Sequence, residues 1–404
     1  MARQLLLAAA AAALAAAEDP WTIVSPNLAT IVTGIACTSN KTCYVPVDEN
    51  GVGANVLRSA DGGETWKPAR EEPFALLLLD IAAIKDNVAV VGALTLMYSD
   101  DAAVTFNESI GPLGAGQCIR KVGPKGANTE IGFGAVGDWG LFTESNGVAL
   151  SVDGGKTFAT ENITELVADS RYGAFPTDEV FYIAAGDWPG EGADDDPCDD
   201  PPCGRSRRSV FKRKGDAVDP AHYAQAVAPG SKLLRAKGSR LHLLLAPSGD
   251  VQWALVRGDS VNAANTAAPN ITSWEAQIAK TTDAGKTWVL QFSKKGAYYL
   301  NDIECTTATT CCAVGETGDG TNGTEGGGAY LLCTEDGGSS WKEKHLNTDT
   351  DASIIGIGAI AENEFWAVGG HLGAITIQYS QFYHTVDAGT SWTRLDDPNG
   401  SMYT

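Results

Sequence analysis

The phrase Ser59-Ala60-Asp61-Gly62-Gly63-Glu64-Thr65-Trp66 sets a carboxylate between two hydroxyls, a grouping that could carry chemistry or could fasten a turn. A second dense stretch gathers Asp194, Asp195, Asp196, Asp199 and Asp200 around Cys198 and Cys203. It is followed by Arg205, Arg207, Arg208, Lys212, Arg213 and Lys214, the chain's one dense basic cluster. The aspartates could gather calcium, but they lack the fixed oxygen spacing of a calcium loop, so a solvated acidic loop is expected. The basic residues could neutralise that loop or bind an acidic partner, and Arg205-Ser206-Arg207-Arg208 resembles a furin-type processing site. Five His and nine Cys form no Cys–His zinc pattern. No nucleophile–base pair, metal constellation or phosphate loop stands out, so neither catalytic residues nor a cofactor are expected.

The opening phrase returns along the chain. Full copies begin at Ser59, Ser151, Thr281, Thr334 and Thr385, and a copy without the glycine begins at Ser99. The shared rule is Ser/Thr-x-Asp-x-Gly-x-Thr/Ser-Trp/Phe, which places Asp61, Asp101, Asp153, Asp283, Asp336 and Asp387 at one position. Starts at 59, 99, 151, 281, 334 and 385 give a period of 40–53 residues with one gap of 130. Such a period marks a propeller or an array. The long gap has room for one more unit, and Val180–Gly186 with Ser209–Arg213 reads as a repeat whose turn has lost its signature.

The elements that position these turns are short strands. In the first unit Thr30–Ala36, Thr42–Val47, Asn55–Ser59 and Thr65–Lys67 are extended runs, with the signature between the third and fourth. Seven such units make an all-β chain, a seven-bladed β-propeller of four-stranded antiparallel blades. Trp21-Thr22-Ile23-Val24 would pair with the last blade and close the ring.

This arrangement decides the role of the phrase. An Asp or Ser side chain can accept backbone N–H bonds in a turn, Gly permits positive φ, and the aromatic packs between sheets. Six copies spread around a ring cannot converge on one substrate, so the signature is expected to staple turns. It resembles that of the Asp-box (BNR) propellers, a group that includes sialidases, sortilin-type receptors, xyloglucanases and the photosystem II stability/assembly factor family. The Phe/Tyr-Arg-Ile-Pro motif of sialidases is missing, and xyloglucanases place their two catalytic aspartates on tandem propellers. Pro20–Val24, Phe365–Gly370 and the Thr385–Trp392 box are similar to the opening and closing blades of the assembly factors. That resemblance implies a non-catalytic scaffold that binds a membrane-complex subunit or precursor, with the thylakoid lumen as one location. A glycan-binding or glycan-hydrolysing propeller is the alternative it leaves open.

If signatures occupy one face, the connections between second and third strands occupy the other. The long ones are Gly186–Arg208, Gly258–Ser273 and Gly315–Gly328, expected on three successive blades, and binding residues favour loops on a rigid scaffold. Gly137-Asp138-Trp139 and Gly186-Asp187-Trp188 recur there. Asp138, Trp139, Asp187 and Trp188, with Arg205, Arg207 and Arg208, are therefore the candidate binding residues for a protein or a glycan. The competing reading is that both tryptophans cover strand ends.

Charge and the N-terminus complete the expectations. A net charge of −21 excludes a phosphate-tracking surface, so nucleic acid is not an expected partner. Leu5–Ala17 is apolar but too short to span a bilayer and ends in small residues, which reads as a signal peptide over residues 1–17. Residues 18–404 then form one propeller, expected to be a monomer without a membrane span, with an acidic and basic loop over 186–208. Six sequons, at Asn40, Asn107, Asn162, Asn270, Asn322 and Asn399, and the cysteine usage fit a secreted glycoprotein. The expected bridges are Cys37–Cys43 in the first blade, Cys305–Cys311 in the sixth, Cys198–Cys203 and Cys312–Cys333, leaving Cys118 unpaired.

Overall fold

A computed structural model describes residues 31–48, 53–69, 75, 77–112, 114–123, 132–139, 146–163, 166–167, 170–187, 274–296, 298–316, 328–346, 352–372 and 377–397, together with three strands within 232–255. Its described residues are all β, with every strand pair antiparallel. Six sheets follow one another along the chain, each built so that the first strand pairs the second, the second the third, and the third the fourth. In the first sheet Ile31–Val32 and Ala36–Cys37 share the place of a single first strand beside Cys43–Asp48.

Burial follows position in the sheet. Second and third strands such as Asn87–Gly92 and Ala329–Thr334 are buried along nearly their whole length, because sheets cover them on both faces. Fourth strands such as Lys67–Pro68 and Lys342–His345 are exposed, and they form the outer edges. Five apolar clusters fill the spaces between consecutive sheets. Val56 and Ile81 meet between the first and second, Ile119 and Phe133 pack beneath the second, and Phe175 and Ile183 lie between the third and fourth. Tyr182 and Leu300 join the fourth to the fifth, and Leu331 and Phe365 the fifth to the sixth. The first strands pack against one another in chain order, and Arg120 of the third sheet reaches acidic residues of both the second and the fifth. Sheets whose first strands meet in this way are arranged around an axis, as in a propeller.

The spacing suggested a repeat without a signature between residues 164 and 227, and the pairing corrects this. Phe181–Asp187 lies between Ser170–Ala174 and Glu275–Thr281, so its unit owns the signature that begins at Thr281. Residues 188–273 are thus one connection between the second and third strands of the fourth sheet, and a separate three-stranded sheet falls inside it. Among the described residues there are six four-position sheets where seven were expected. The expected strand Ser209–Arg213, the closing strand at Trp21–Val24 and the leader lie outside the described residues. Two adjacent sheets, the fourth and fifth, carry the long connections, not three.

The copy at Ser99 folds like the others despite its missing glycine. Ala102 and Ala103 adopt φ of 59° and 61°, where their counterparts Gly62 and Gly63 have 84° and 94°. The left-handed region costs a residue with a Cβ about 1–2 kcal/mol, partly offset by the entropy that glycine would lose. Ala102→Gly is therefore expected to raise stability by about 0.5–1 kcal/mol, read as a higher urea midpoint at unchanged slope. A lower midpoint would show that the alanine is not strained.

Cysteines reinforce this frame. Cys37–Cys43 and Cys305–Cys311 close the first hairpins of the first and fifth sheets with Cα atoms 4.1 and 4.0 Å apart, and Cys312–Cys333 joins the next strand pair at 4.2 Å. The unit holding Cys305 is the fifth and not the sixth, for the same reason that the gap closed. Cys311 and Cys312 are adjacent in an extended strand, so their bridges lie on opposite faces of the sheet. The outer bridge backs onto the next signature, where a Cβ added to Gly389 would overlap Cys333 Sγ. Cys118 is buried and unpaired, and Cys198 and Cys203 lie outside the described residues.

Candidate functional site

All six signature turns share one hydrogen-bond pattern. Ser59 Oγ accepts the N–H groups of Asp61 and Gly63 at 3.3 and 2.8 Å and donates to Asp61 Oδ1 at 2.8 Å. Asp61 Oδ1 also accepts Thr65 N–H at 2.9 Å, and Oδ2 accepts the Thr65 hydroxyl at 2.5 Å. The same bonds recur around Asp101, Asp153, Asp283, Asp336 and Asp387. The N–H of the fourth signature residue binds the first hairpin of its own sheet, for example Gly62 to Lys41 O at 2.9 Å and Gly337 to Thr309 O at 3.0 Å. Trp66, Trp288 and Trp392 donate their indole N–H back to the signature glycine carbonyl at 2.8–3.1 Å. Hydrogen bonds from Thr65 and Ser59 bring Asp61 down to about 2, and Asp283, Asp336 and Asp387 likewise fall to about 2 through their own partners. With both oxygens committed, these carboxylates fasten turns and are not placed to transfer protons.

A different set of charges converges at the axis. The first strands of the second to sixth sheets each shift register at one equivalent place, occupied by Asp80, Cys118, Tyr172, Asp302 and Gly356. Asp80 accepts Ile81 N–H at 2.9 Å on Oδ1 and, on Oδ2, Ile119 N–H of the next sheet at 2.9 Å. Asp302 repeats this with Ile303 at 2.8 Å and Ile357 of its next sheet at 3.0 Å. Arg120 Nη1 pairs with Asp80 Oδ2 and donates to Ile119 O at 3.1 Å, while Nη2 lies 3.7 Å from Asp302 Oδ1. Both carboxylates are nearly inaccessible, and the Arg120 side chain is 25% exposed. Burial raises both, Asp302 to about 7, against the pull of Arg120. Burial also pushes the Cys118 thiol and the Tyr172 phenol up.

The sequence-derived site residues do not assemble as expected. Trp139 is 7% exposed, donates its indole N–H to Gly147 O at 3.0 Å and packs in the core between the second and third sheets. It covers a strand end and is not an exposed binding surface. The two Gly-Asp-Trp triplets are also not equivalent: Phe133 pairs with Ser151 and Phe181 with Thr281, so Asp187 stands where Trp139 stands. The two triplets are therefore offset by one residue relative to the strand pairing. Asp138 is half-buried at the end of its strand. Asp187 ends the strand facing Glu275, and Trp188, Arg205, Arg207 and Arg208 lie outside the described residues. Asp80, Arg120 and Asp302 were missed. Their signal was present as an Asp inside an apolar first strand, in Leu78-Leu79-Asp80-Ile81 and Leu300-Asn301-Asp302-Ile303. No group of three or more His, Cys, Asp or Glu among the described residues is arranged to hold a metal ion, and no described helix is long and apolar enough to cross a membrane.

No family model and no curated protein matches the chain. Solved structures do align with it at low identity. YCF48 from Cyanidioschyzon merolae is 13% identical with a TM-score of 0.36, covering 86% of this chain and 95% of that one. The GH74 enzyme of Niastella koreensis is 13% identical with a TM-score of 0.32, covering 90% and 65%. A PL25 ulvan lyase is 9% identical with a TM-score of 0.47, covering 90% and 83%. At these values the likenesses carry no weight for function, and the propeller assignment rests on how the six sheets pack around their shared axis.

Proposed function

We propose that the protein is a non-catalytic, protein-binding propeller of the Asp-box type, resembling the photosystem II assembly factors and acting in a lumenal or extracellular compartment. The observation that supports this most is how its conspicuous carboxylates are used. The six signature aspartates and the two axial ones spend both oxygens on hydrogen bonds within the protein. A rigid frame of this kind presents its variable connections on the face away from the signatures, and loops on rigid frames carry recognition. The strand ends that the two long connections join, Asp187 and Glu275 in the fourth sheet and Glu316 and Ala329 in the fifth, lie at that face. The three cross-strand disulfides suit an oxidising compartment.

Trp188 is the proposed contact at the start of the longer connection. Trp188→Ala is expected to reduce the partners co-purified from the native source while leaving the melting temperature nearly unchanged. Trp288→Ala, in a signature, is expected to cost about 2–4 kcal/mol, somewhat below a fully buried aromatic because that indole is only half-buried. An unfolded Trp188→Ala variant, or unchanged co-purification, would remove Trp188 from the site. Release of reducing sugar from a polysaccharide panel would overturn the non-catalytic reading in favour of a glycan-active propeller.

A further inference from the structure

The seam between the fourth and fifth sheets gathers aromatic rings and carboxylates on the face away from the signatures. Trp274 stacks on Tyr299 with centroids 5.5 Å apart and planes within 11°, and the Tyr299 hydroxyl bonds Glu316. Glu275, next to Trp274, lies 3.6 Å from Lys295. Trp274, Tyr299 and Glu316 are each half-buried, so part of each remains open to solvent. Strand order fixes their location. Glu275 begins a third strand, Lys295 ends a fourth, Tyr299 begins a first and Glu316 ends a second, and all four strand ends lie away from the signature turns. The connection over 188–273 returns at Trp274, and the one over 317–327 departs after Glu316, so the pair stands between the two long connections.

We infer that Trp274, Tyr299 and Glu316 form a recognition surface for an arginine- or lysine-bearing segment of a partner protein. The chemistry is already realised one residue away. Lys294 Nζ sits 5.3 Å over the Tyr298 ring and binds both Glu343 oxygens at 2.6 and 2.7 Å, a cation held between an aromatic face and a carboxylate. Trp274, Tyr299 and Glu316 supply the same two components facing the other way, since consecutive residues of an extended chain point to opposite sides. A guanidinium can stack on an indole or phenol ring while its N–H groups bind a carboxylate. The chain's net charge of −21 selects a cationic partner over an anionic one and steers it to the surface.

The inference rests on the protein-binding reading, and the test separates the two. The full chain would be titrated at 150 mM salt with fluorescent Gly/Ser peptides carrying two Arg, two Lys or two Glu. Saturable binding of the Arg peptide is expected, at least tenfold weaker in Trp274→Ala and in Glu316→Gln, largely retained in Trp274→Phe, and undetectable for the Glu peptide. Equal binding by all three peptides, or affinity unchanged in correctly folded Trp274→Ala, would overturn the seam. Co-purification of partners from the native source with the same variants supplies the second readout. Partners retained by Trp274→Ala would sink the seam alone, whereas no partners on the wild-type chain would sink the binding reading itself.

Discussion

Arg120→Met is expected to destabilise the protein by about 3–5 kcal/mol at neutral pH, the usual cost of removing one partner from a buried ionic group. Arg120 stands between Asp80 of the second sheet and Asp302 of the fifth, and each aspartate also binds a backbone N–H of the sheet that follows it. Removing the guanidinium leaves two nearly inaccessible carboxyl groups with only amide donors, so each must hold an uncompensated charge or take up a proton that the unfolded chain has released. Methionine roughly matches the aliphatic stem, so lost packing contributes little. The penalty should shrink as the pH is lowered toward 4, because the unfolded carboxyls then take up the same protons and the difference between the two states disappears. Urea midpoints at several pH values decide the matter. A loss below about 1 kcal/mol at pH 7, or one that grows on acidification, would show that Arg120 does not neutralise the axis.

How much of this was legible depended on distance along the chain. The signature turn was fully legible because Ser59, Asp61, Gly63, Thr65 and Trp66 make all their diagnostic bonds within one phrase, so local rules suffice. Cross-strand bridges were legible for a similar reason: Cys37 and Cys43 flank one hairpin, and Cys312 faces Cys333 across a single strand pair. The unit count failed where an insertion separated paired strands, since Phe181–Asp187 finds its third-strand partner only at Glu275. The axis was not legible at all. Asp80 and Arg120 are 40 residues apart and Asp302 is farther still, and only the curvature of the sheets brings them together. Gly137-Asp138-Trp139 misled in the opposite way: a local triplet matched, but strand register gave its tryptophan to the core.

The wild-type protein should be most stable near pH 4–5, well below the neutral range, because two groups of aspartates act in opposite directions. Asp302 is held at about 7 in the folded chain by burial, whereas its ordinary value is 3.8. Between these values the folded state binds a proton that the unfolded state has released, so stability must fall as the pH rises from about 4 to 7. A move from 3.8 to about 7 corresponds to about 4 kcal/mol, reached near pH 7 and constant above it. The signature aspartates have the reverse sign. Asp61, Asp283, Asp336 and Asp387 are drawn to about 2 by hydroxyl and amide donors, so their contribution is complete above about pH 4 and is lost as the pH falls toward 2. Asp101 and Asp153 are lowered as well, their donors outweighing slight burial. Melting temperatures across pH 2–8 should therefore rise from pH 2 to about 4 and decline gradually toward 7. In Asp302→Asn the decline above pH 4 should be much reduced while the acid limb is unchanged. If the wild-type curve is flat between pH 4 and 7, or if Asp302→Asn declines as steeply as wild type, the axial carboxylate is ionised at the same pH folded and unfolded, and the neutral-pH cost assigned to its burial is wrong.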